Sequence, residues 1–114
     1  MAEISTHILD TSLGKPAEGI IVILEHQLPD STWQSVGKSI TDQDGRIKGL
    51  MNQEQNLKGG DFRLTFFVHS YFKSKGLKCF FPEIHLHFNL DKMDENYHIP
   101  LLISPYGYYT YRGS

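Results

Sequence analysis

The strongest constraint on the fold is a succession of short β-forming segments that end at turn signals. Each segment combines β-branched, aromatic or other apolar residues, and glycine, proline, asparagine or aspartate separates it from the next. A series of about eight such segments is typical of an antiparallel β-sandwich. We expect the strands at residues 4–9, 19–27, 33–41, 46–48, 61–69, 83–88, 97–103 and 108–112.

Two local signals refine this expectation. Ser70 is a candidate N-cap for a single short helix over residues 71–75, which Gly76 would end. Pro100 has no backbone N–H and cannot donate to a β-ladder, so it predicts an edge strand or a bulge within its segment.

The two-residue period of a β-strand sorts the side chains of two segments into faces. In the first segment, one face carries Ser5, His7 and Leu9, and the other carries Ile4, Thr6 and Ile8. In the segment at 83–88, we expect an inward face of Ile84, Leu86 and Phe88, with His85 and His87 outside.

The composition restricts the classes of function. A chain of 114 residues has the length of one domain, which we expect to cover residues 1–114. The net charge of −2 does not favour nucleic acid or an anionic membrane as a partner, and no apolar run approaches the roughly 18 residues of a membrane span. The single cysteine, Cys79, suits a reducing compartment. The first residues lack the pattern of a secretory leader, so we expect a cytoplasmic protein.

The six histidines do not follow a common catalytic or metal-binding motif. HExxH, CxxC and GxSxG are all absent from the sequence, so a serine triad has no support. His85 and His87 share a strand face and could contact a metal ion together, but this segment supplies no further ligands. A solvated strand face is therefore the preferred interpretation of this pair.

His7 and His98 lie in the first strand and in a late strand, and Arg46 follows the tight-turn signal Asp44-Gly45. A neutral imidazole is suited to proton transfer near pH 7, and arginine can stabilise developing negative charge. Two histidines with an arginine, and without a nucleophile, fit the activation of water for attack on a polar carbonyl group.

The last four residues, Tyr111-Arg112-Gly113-Ser114, directly follow an aromatic strand-like segment. Arg112 offers a rigid fork of donors for carbonyl or carboxylate oxygens, and Gly113 permits close approach of the backbone. Ser114 supplies a hydroxyl group and a carboxylate. An exposed and frayed end is the alternative interpretation of such a tail.

The sequence resembles the transthyretin-related 5-hydroxyisourate hydrolases of purine degradation. The resemblance extends over nearly the whole chain, and the terminal Tyr-Arg-Gly-Ser is its most specific signature, which transthyretin itself lacks. The matching segments are residues 5–10, 14–17, 41–42, 44–46, 71–72, 80–83, 97–102, 104–108 and 110–114.

The resemblance implies a transthyretin-like sandwich of two four-stranded sheets with one short helix. It also implies a homotetramer, arranged as a dimer of dimers, that encloses a channel. The active sites would lie at the dimer–dimer interface, where the tail lines a shared cleft and need not fray.

The implied reaction is the hydrolysis of 5-hydroxyisourate to 2-oxo-4-hydroxy-4-carboxy-5-ureidoimidazoline, without a metal or an organic cofactor. His7, Arg46 and His98 would be catalytic. We expect His7 or His98 to be the general base, with a preference for His7, and Arg46 to hold the oxyanion. Substrate binding is assigned to Tyr111, Arg112, Gly113 and Ser114.

Three other functions remain open from the residues alone. The first is a transthyretin-like carrier whose channel holds a small molecule without catalysis. The second is a metal-binding sandwich that uses His7 and His98 from several subunits. The third is a structural sandwich without a ligand, which would leave the combination of histidines, arginine and tail unexplained.

Overall fold

Two β-sheets and one short helix make up the fold in the computed structural model, which describes residues 3–51 and 57–113. The strands are β1 (Ile4–Asp10), β2 (Lys15–Pro16), β3 (Ile21–Gln27), β4 (Trp33–Ile40), β5 (Arg46–Ile47), β6 (Gly60–Phe67), β7 (Glu83–Leu90), β8 (Tyr97–Ser104) and β9 (Gly107–Thr110). The helix α1 covers His69–Ser74. In the part of the chain that is described, no helix has the length and apolar character needed to cross a membrane.

The first sheet has the strand order β2-β1-β8-β9. The short strands β2 and β5 pair with different parts of the same edge of β1, so together they form one outer position of the sheet. β1 and β8 run parallel through seven residue pairs, from Ile4 opposite Tyr97 to Asp10 opposite Ile103. This ladder joins the beginning of the described chain to its last quarter.

The second sheet is antiparallel throughout, with the order β4-β3-β6-β7. Its inward side chains pack against those of the first sheet. Phe62, Leu64 and Phe66 of β6 are fully buried, and they belong to the same apolar cluster as Ile4 and Ile8 of β1. The predicted β-sandwich is therefore confirmed, since the two sheets bury their apolar faces against each other.

The predicted faces of two strands are also confirmed. In β1, Ile4, Thr6 and Ile8 are buried, whereas the alternate side chains are only half-buried. In β7, the inward positions are more buried than His85 and His87, which are exposed. The alternation follows from the pleat of a strand, which directs successive side chains to opposite faces.

Two local predictions are wrong. Pro100 lies inside the first sheet, between β1 and β9, and the β8–β9 pairing has no register shift. That pairing begins at Leu101, so Pro100 stands where the regular ladder to β9 has ended and a missing N–H costs little. Ser70 does not cap α1, because the helix already begins at His69 and its cap residue is Val68.

A buried carboxylate fastens the helix to the first sheet. Asp10, at the end of β1, is fully buried and accepts a hydrogen bond of 2.7 Å from the hydroxyl of Tyr71 in α1. The hydroxyl of Ser12 and the backbone N–H groups of Ser12 and Leu13 donate to its other oxygen. Burial alone would raise the pKa of Asp10, but these hydrogen bonds together hold it below its usual value. The pKa of Tyr71 is raised, first by burial and then by the hydrogen bond to Asp10. The hydroxyl of Tyr71 therefore keeps its proton and remains a hydrogen-bond donor.

The substitution Tyr71→Phe removes one donor from this carboxylate. We expect the free energy of unfolding to fall by about 1.5–3 kcal/mol at neutral pH, the usual cost of losing a hydrogen bond to a charged group. Urea denaturation would measure the change. As a control, Tyr106→Phe removes a hydroxyl from an exposed turn residue and should change the stability by less than about 0.5 kcal/mol.

The difference between Tyr71→Phe and the wild type should depend on pH. Because the pKa of Asp10 is lower in the folded state than in the unfolded state, its contribution is complete above about pH 4. The contribution is lost as the pH falls through the folded-state value. A difference that stays constant from pH 7 down to the onset of acid unfolding would show that the charge of Asp10 does not matter for this contact.

Candidate active site

The outer face of the first sheet gathers residues from four parts of the chain. His7 of β1 lies opposite Arg46 of β5 on one side and opposite Pro100 of β8 on the other. Ser5 lies opposite His98, and His98 forms an isolated bridge with Gly113. Residues that are directly opposite in paired strands share a face, so these side chains point to the same side of the sheet. We call this surface the histidine face.

His98 is held on both edges of its imidazole ring. The Oγ atom of Ser5 lies 2.9 Å from Nδ1. On the other edge, a Cβ atom added at Gly113 would lie only 2.8 Å from Cδ2. The backbone N–H of Gly113 donates to the carbonyl oxygen of His98 at 2.8 Å. A larger residue at position 113 would therefore collide with the ring, which is a physical reason for glycine at this place in the tail.

Two cavities adjoin at His98. The smaller, of about 170 Å³, has a lining from the start of β1, from β5 and from β8, made up of Glu3, Ser5, Thr6, Arg46, Ile47, Lys48 and His98. The larger, of about 320 Å³, is lined by His7, Tyr109, Tyr111 and Gly113, among others. His98 lines both cavities, so a small molecule bound in either one can contact its imidazole.

The environment of His98 favours the neutral form of its imidazole. Burial, followed by the charge of Arg46 and the neighbouring imidazole of His7, lowers the pKa of His98 below its ordinary value. At pH 7 the ring is therefore neutral and has one nitrogen free to accept a proton. This is the state that a general base requires.

Not every predicted site residue lies on the histidine face. Tyr111 lines the larger cavity there. Arg112 is the next residue, and its guanidinium lies 5.2 Å from the centre of the Tyr97 ring and 3.9 Å from a carboxylate oxygen of Glu95. Its side chain is 74% exposed, and it lines a third cavity of about 540 Å³ beside β7. Ser114 lies outside the described residues.

Ser5 and Lys48 were not assigned a role from the sequence. The two-residue period places Ser5 on the same face as His7, but nothing in the sequence pairs Ser5 with His98, which is 93 residues away. The parallel register of β1 and β8 creates that contact. Lys48 belongs to the candidate site because it directly follows β5 and lines the smaller cavity.

The pair His85 and His87 lies on the other sheet. Nδ1 of His85 is 3.0 Å from the hydroxyl of Thr65, and Nε2 of His87 is 3.0 Å from a carboxylate oxygen of Asp61. Over residues 3–51 and 57–113, no three His, Cys, Asp or Glu side chains are grouped so that they could hold a metal ion.

The sequence matches the model of the HIUase/Transthyretin family over residues 4–113. The chain belongs to this family. It is 51% identical over 111 residues to the 5-hydroxyisourate hydrolase of Salmonella dublin, covering 97% of this chain and 80% of that protein. The expectation of a hydrolase enzyme from this family is confirmed at that level.

Solved structures of the family have the same fold. The structure of the 5-hydroxyisourate hydrolase of Klebsiella pneumoniae superposes with a TM-score of 0.84 at 33% identity, covering all of both chains. Sea bream transthyretin, solved in complex with thyroxine, superposes with a TM-score of 0.89 at 26% identity, covering 97% of this chain and 94% of that one. The predicted transthyretin-like architecture is confirmed by these matches.

The contact between the tail and His98 can be tested by Gly113→Ala. The added methyl group must displace the imidazole or the tail, because it would lie 2.8 Å from Cδ2. We expect the imidazole resonances of His98 to shift in NMR spectra. Gly107→Ala is the matched control, since its nearest neighbouring atom would lie 3.8 Å away. Equal shifts in the two variants would contradict the proposed close packing.

The substitution Arg46→Ala should raise the pKa of His98. The positive charge of Arg46 disfavours the imidazolium form, so its removal makes protonation easier. NMR titration of the ring protons would measure this change. Arg46→Lys keeps the charge and should leave the pKa of His98 closer to the wild-type value than Arg46→Ala does. A pKa that is lower in Arg46→Ala than in the wild type would contradict this account.

Proposed function

We propose that this protein hydrolyses 5-hydroxyisourate to 2-oxo-4-hydroxy-4-carboxy-5-ureidoimidazoline in urate degradation. The observation that carries the proposal is the convergence of His7, Arg46 and His98 on one face, from three neighbouring strands. The family membership and the hydrolase from Salmonella dublin support the choice of substrate. We further propose that the domain covers residues 1–114, and a cytoplasmic location stays a prediction.

The reaction adds water across a cyclic amide bond of the substrate. A histidine accepts one proton from water while the water oxygen attacks the carbonyl carbon. The C–N bond then breaks, and the leaving nitrogen receives a proton. A well-placed general base contributes typically about 10²–10⁴-fold to such a step. In this scheme His7 and His98 are the two candidates for the base.

Arg46 is proposed to stabilise the negative charge that develops on the attacked oxygen. It lies directly opposite His7 in the β1–β5 pair and lines the smaller cavity beside His98. Loss of one donor to an oxyanion typically costs about 10²–10³-fold in rate. The positive charge has a second effect, because it helps to keep His98 neutral and therefore able to act as a base.

The tail is proposed to bind the substrate. Tyr111 and Gly113 line the larger cavity, where a flat ring could stack and accept hydrogen bonds. Arg112 and Ser114 keep their proposed binding roles as predictions. The side chain of Arg112 points away from the histidine face of its own subunit, towards Glu95 and Tyr97. Its proposed role in substrate binding therefore depends on a rearrangement of the tail or on a site shared between subunits.

A homotetramer, built as a dimer of dimers, is part of the proposal. Tyr109 and Tyr111 are exposed beside the larger cavity, and their ring centres lie 5.8 Å apart. Large exposed aromatic groups of this kind commonly mark an interaction surface. A second subunit placed against them would narrow the opening of the histidine face and exclude water from it.

A small-molecule carrier is the second candidate function, because the family includes the thyroxine-bound sea bream transthyretin. The side chains of Arg46, Lys48 and Glu3 give the smaller cavity a charged lining. An aromatic hormone is bound best by a predominantly apolar pocket with few polar groups. The charged lining therefore favours the hydrolase over the carrier.

The decisive test follows the ultraviolet absorbance of 5-hydroxyisourate generated in situ from urate by urate oxidase. The wild type should remove this intermediate much faster than it decays spontaneously. His7→Ala, Arg46→Ala and His98→Ala should each lower kcat/KM by at least about 100-fold. His69→Ala is the matched control, since His69 is exposed at the start of α1 and lines neither of the two cavities beside His98.

Sedimentation of each variant would verify that the wild-type assembly is retained before the rates are compared. No acceleration by the wild type would refute the hydrolase and would lead to thyroxine-binding measurements. A normal rate for Arg46→Ala would refute the oxyanion assignment alone. A variant that lacks residues 111–114 should lose activity, because the cavity loses Tyr111 and Gly113.

A further inference from the structure

Ser5 is the polar side chain that contacts the imidazole of His98 from within the first sheet. Its Oγ atom is 2.9 Å from Nδ1, and both residues occupy directly opposite positions in the parallel β1–β8 ladder. We propose that Ser5 is a positioning residue that holds His98 with its proton on Nδ1, so that Nε2 is the nitrogen that takes the proton from water. This inference rests on the proposed hydrolase function and names the base within it.

A backbone carbonyl offers the Ser5 hydroxyl an acceptor other than Nδ1, and we assign the direction of the hydrogen bond on that basis. The carbonyl oxygen of Tyr97 lies 3.5 Å from the same Oγ atom, at the limit of a hydrogen bond. When the hydroxyl donates to this carbonyl, its lone pairs face Nδ1 and can only accept. His98 must then carry its proton on Nδ1. In a neutral histidine, the hydrogen bond made by one ring nitrogen sets the state of the other.

The position of Nε2 agrees with this role. Nε2 is bonded to Cδ2, and Cδ2 is the ring atom that approaches Gly113. The Nε2 edge of the ring therefore lies towards the tail, where the larger cavity is lined by Tyr111 and Gly113. Nδ1 faces Ser5 and is engaged in the hydrogen bond with its hydroxyl. The nitrogen that is left free by Ser5 is thus the one directed to the cavity.

The protons balance through one catalytic cycle. Nε2 accepts a proton from water, and the water oxygen forms its bond to the carbonyl carbon. The imidazolium continues to donate from Nδ1 to Ser5, which stabilises its charge. When the C–N bond breaks, Nε2 returns the proton to the leaving nitrogen and His98 is neutral again. The lowered pKa of His98 supports this cycle, because the ring is neutral before each turnover.

The same geometry distinguishes His98 from His7. His98 has a hydrogen-bond partner within the sheet that defines its tautomer, and it lines both cavities. His7 lies beside Arg46 and lines only the larger cavity among those described. His98 is therefore assigned as the base in place of His7, which was preferred from the sequence. His7 remains able to orient the water or the substrate.

The test reads the tautomer of His98 directly in the intact protein without substrate. Long-range proton–nitrogen NMR spectra of ¹⁵N-histidine-labelled wild type should show a protonated Nδ1 and an unprotonated Nε2 for His98. In Ser5→Ala the shifts should move towards the Nε2-protonated form, which free neutral histidine prefers. Ser5→Thr keeps the hydroxyl on a side chain suited to a strand and should restore the wild-type shifts.

The kinetic measurement uses the same variants with 5-hydroxyisourate. Ser5→Ala should lower kcat by about 10–100-fold with little change in KM. The proton of His98 then occupies Nε2, the nitrogen that must act as the base, whereas the groups that bind the substrate are retained. In the wild type, the acid limb of the pH–rate profile should lie below about pH 6.5, the ordinary value for histidine. Ser5→Thr should recover most of the rate.

Thr65→Val provides a matched control on the other sheet. The hydroxyl of Thr65 lies 3.0 Å from Nδ1 of His85, so this variant removes a similar hydroxyl–imidazole contact. It should change the resonances of His85 and leave both turnover and the spectrum of His98 unaltered. A comparable loss of kcat in Thr65→Val would mean that the loss in Ser5→Ala is a general effect of structure and would overturn the proposal.

Other outcomes also decide the matter. A wild-type His98 protonated on Nε2 would overturn the proposal, and so would an unchanged kcat in Ser5→Ala. These results are distinguishable from a failure of the hydrolase function itself. In that case the wild type would not accelerate the loss of 5-hydroxyisourate, whatever the tautomer of His98.

Discussion

The parallel ladder between β1 and β8 is the interaction on which the rest of the structure depends. Its paired residues are separated by about four-fifths of the chain, and their pairing over seven positions is the only parallel contact among the described strands. Closing so long a loop carries an entropic cost, which the burial of Ile4, Ile8 and Leu101 offsets. The same register that buries these side chains brings Ser5 opposite His98 on the histidine face, and the β1–β5 pairing adds Arg46 opposite His7.

One strand therefore serves stability and function with alternate residues. The inward positions of β1 enter the core and end at Asp10, which fastens α1 through Tyr71. The outward positions carry the histidine face. Because the inward residues determine the register, the outward groups are held rigidly without contributing to the core themselves. Such a division is favourable for catalysis, which requires side chains to be held within fractions of an ångström.

The tail extends this arrangement to the end of the described chain. A backbone hydrogen bond from Gly113 to His98 continues the β8–β9 pairing after a gap at Pro100. In the gap, Tyr111 faces the larger cavity and Arg112 faces away from it. The absence of an N–H at Pro100 suits this interruption, since no ladder partner is needed there. Pro100 thus marks a break in the pairing of an interior strand and not an edge.

The strands and their faces were predictable because both are properties of local sequence. The two-residue period placed Ile4 and Ile8 on one face of the first strand and His7 on the other, and the turn signal at Asp44-Gly45 indicated a strand that begins at Arg46. The matching segments, above all the terminal Tyr-Arg-Gly-Ser, indicated the family. The start of α1 was misplaced, because a serine that is able to cap a helix does not compel one to begin there.

The sequence by itself determined which residues share a strand face, since a period of two is built into the extended backbone. Only the tertiary structure decided which faces meet. The partner of Ser5 is 93 residues distant, and no local pattern encodes a register between strands so far apart. The direction of Arg112 was likewise decided by its contacts with Tyr97 and Glu95 in the folded chain. Pairing between distant strands is a cooperative result of core burial and backbone hydrogen bonding across the whole sheet, so the contacts of the site emerge only when the chain has folded.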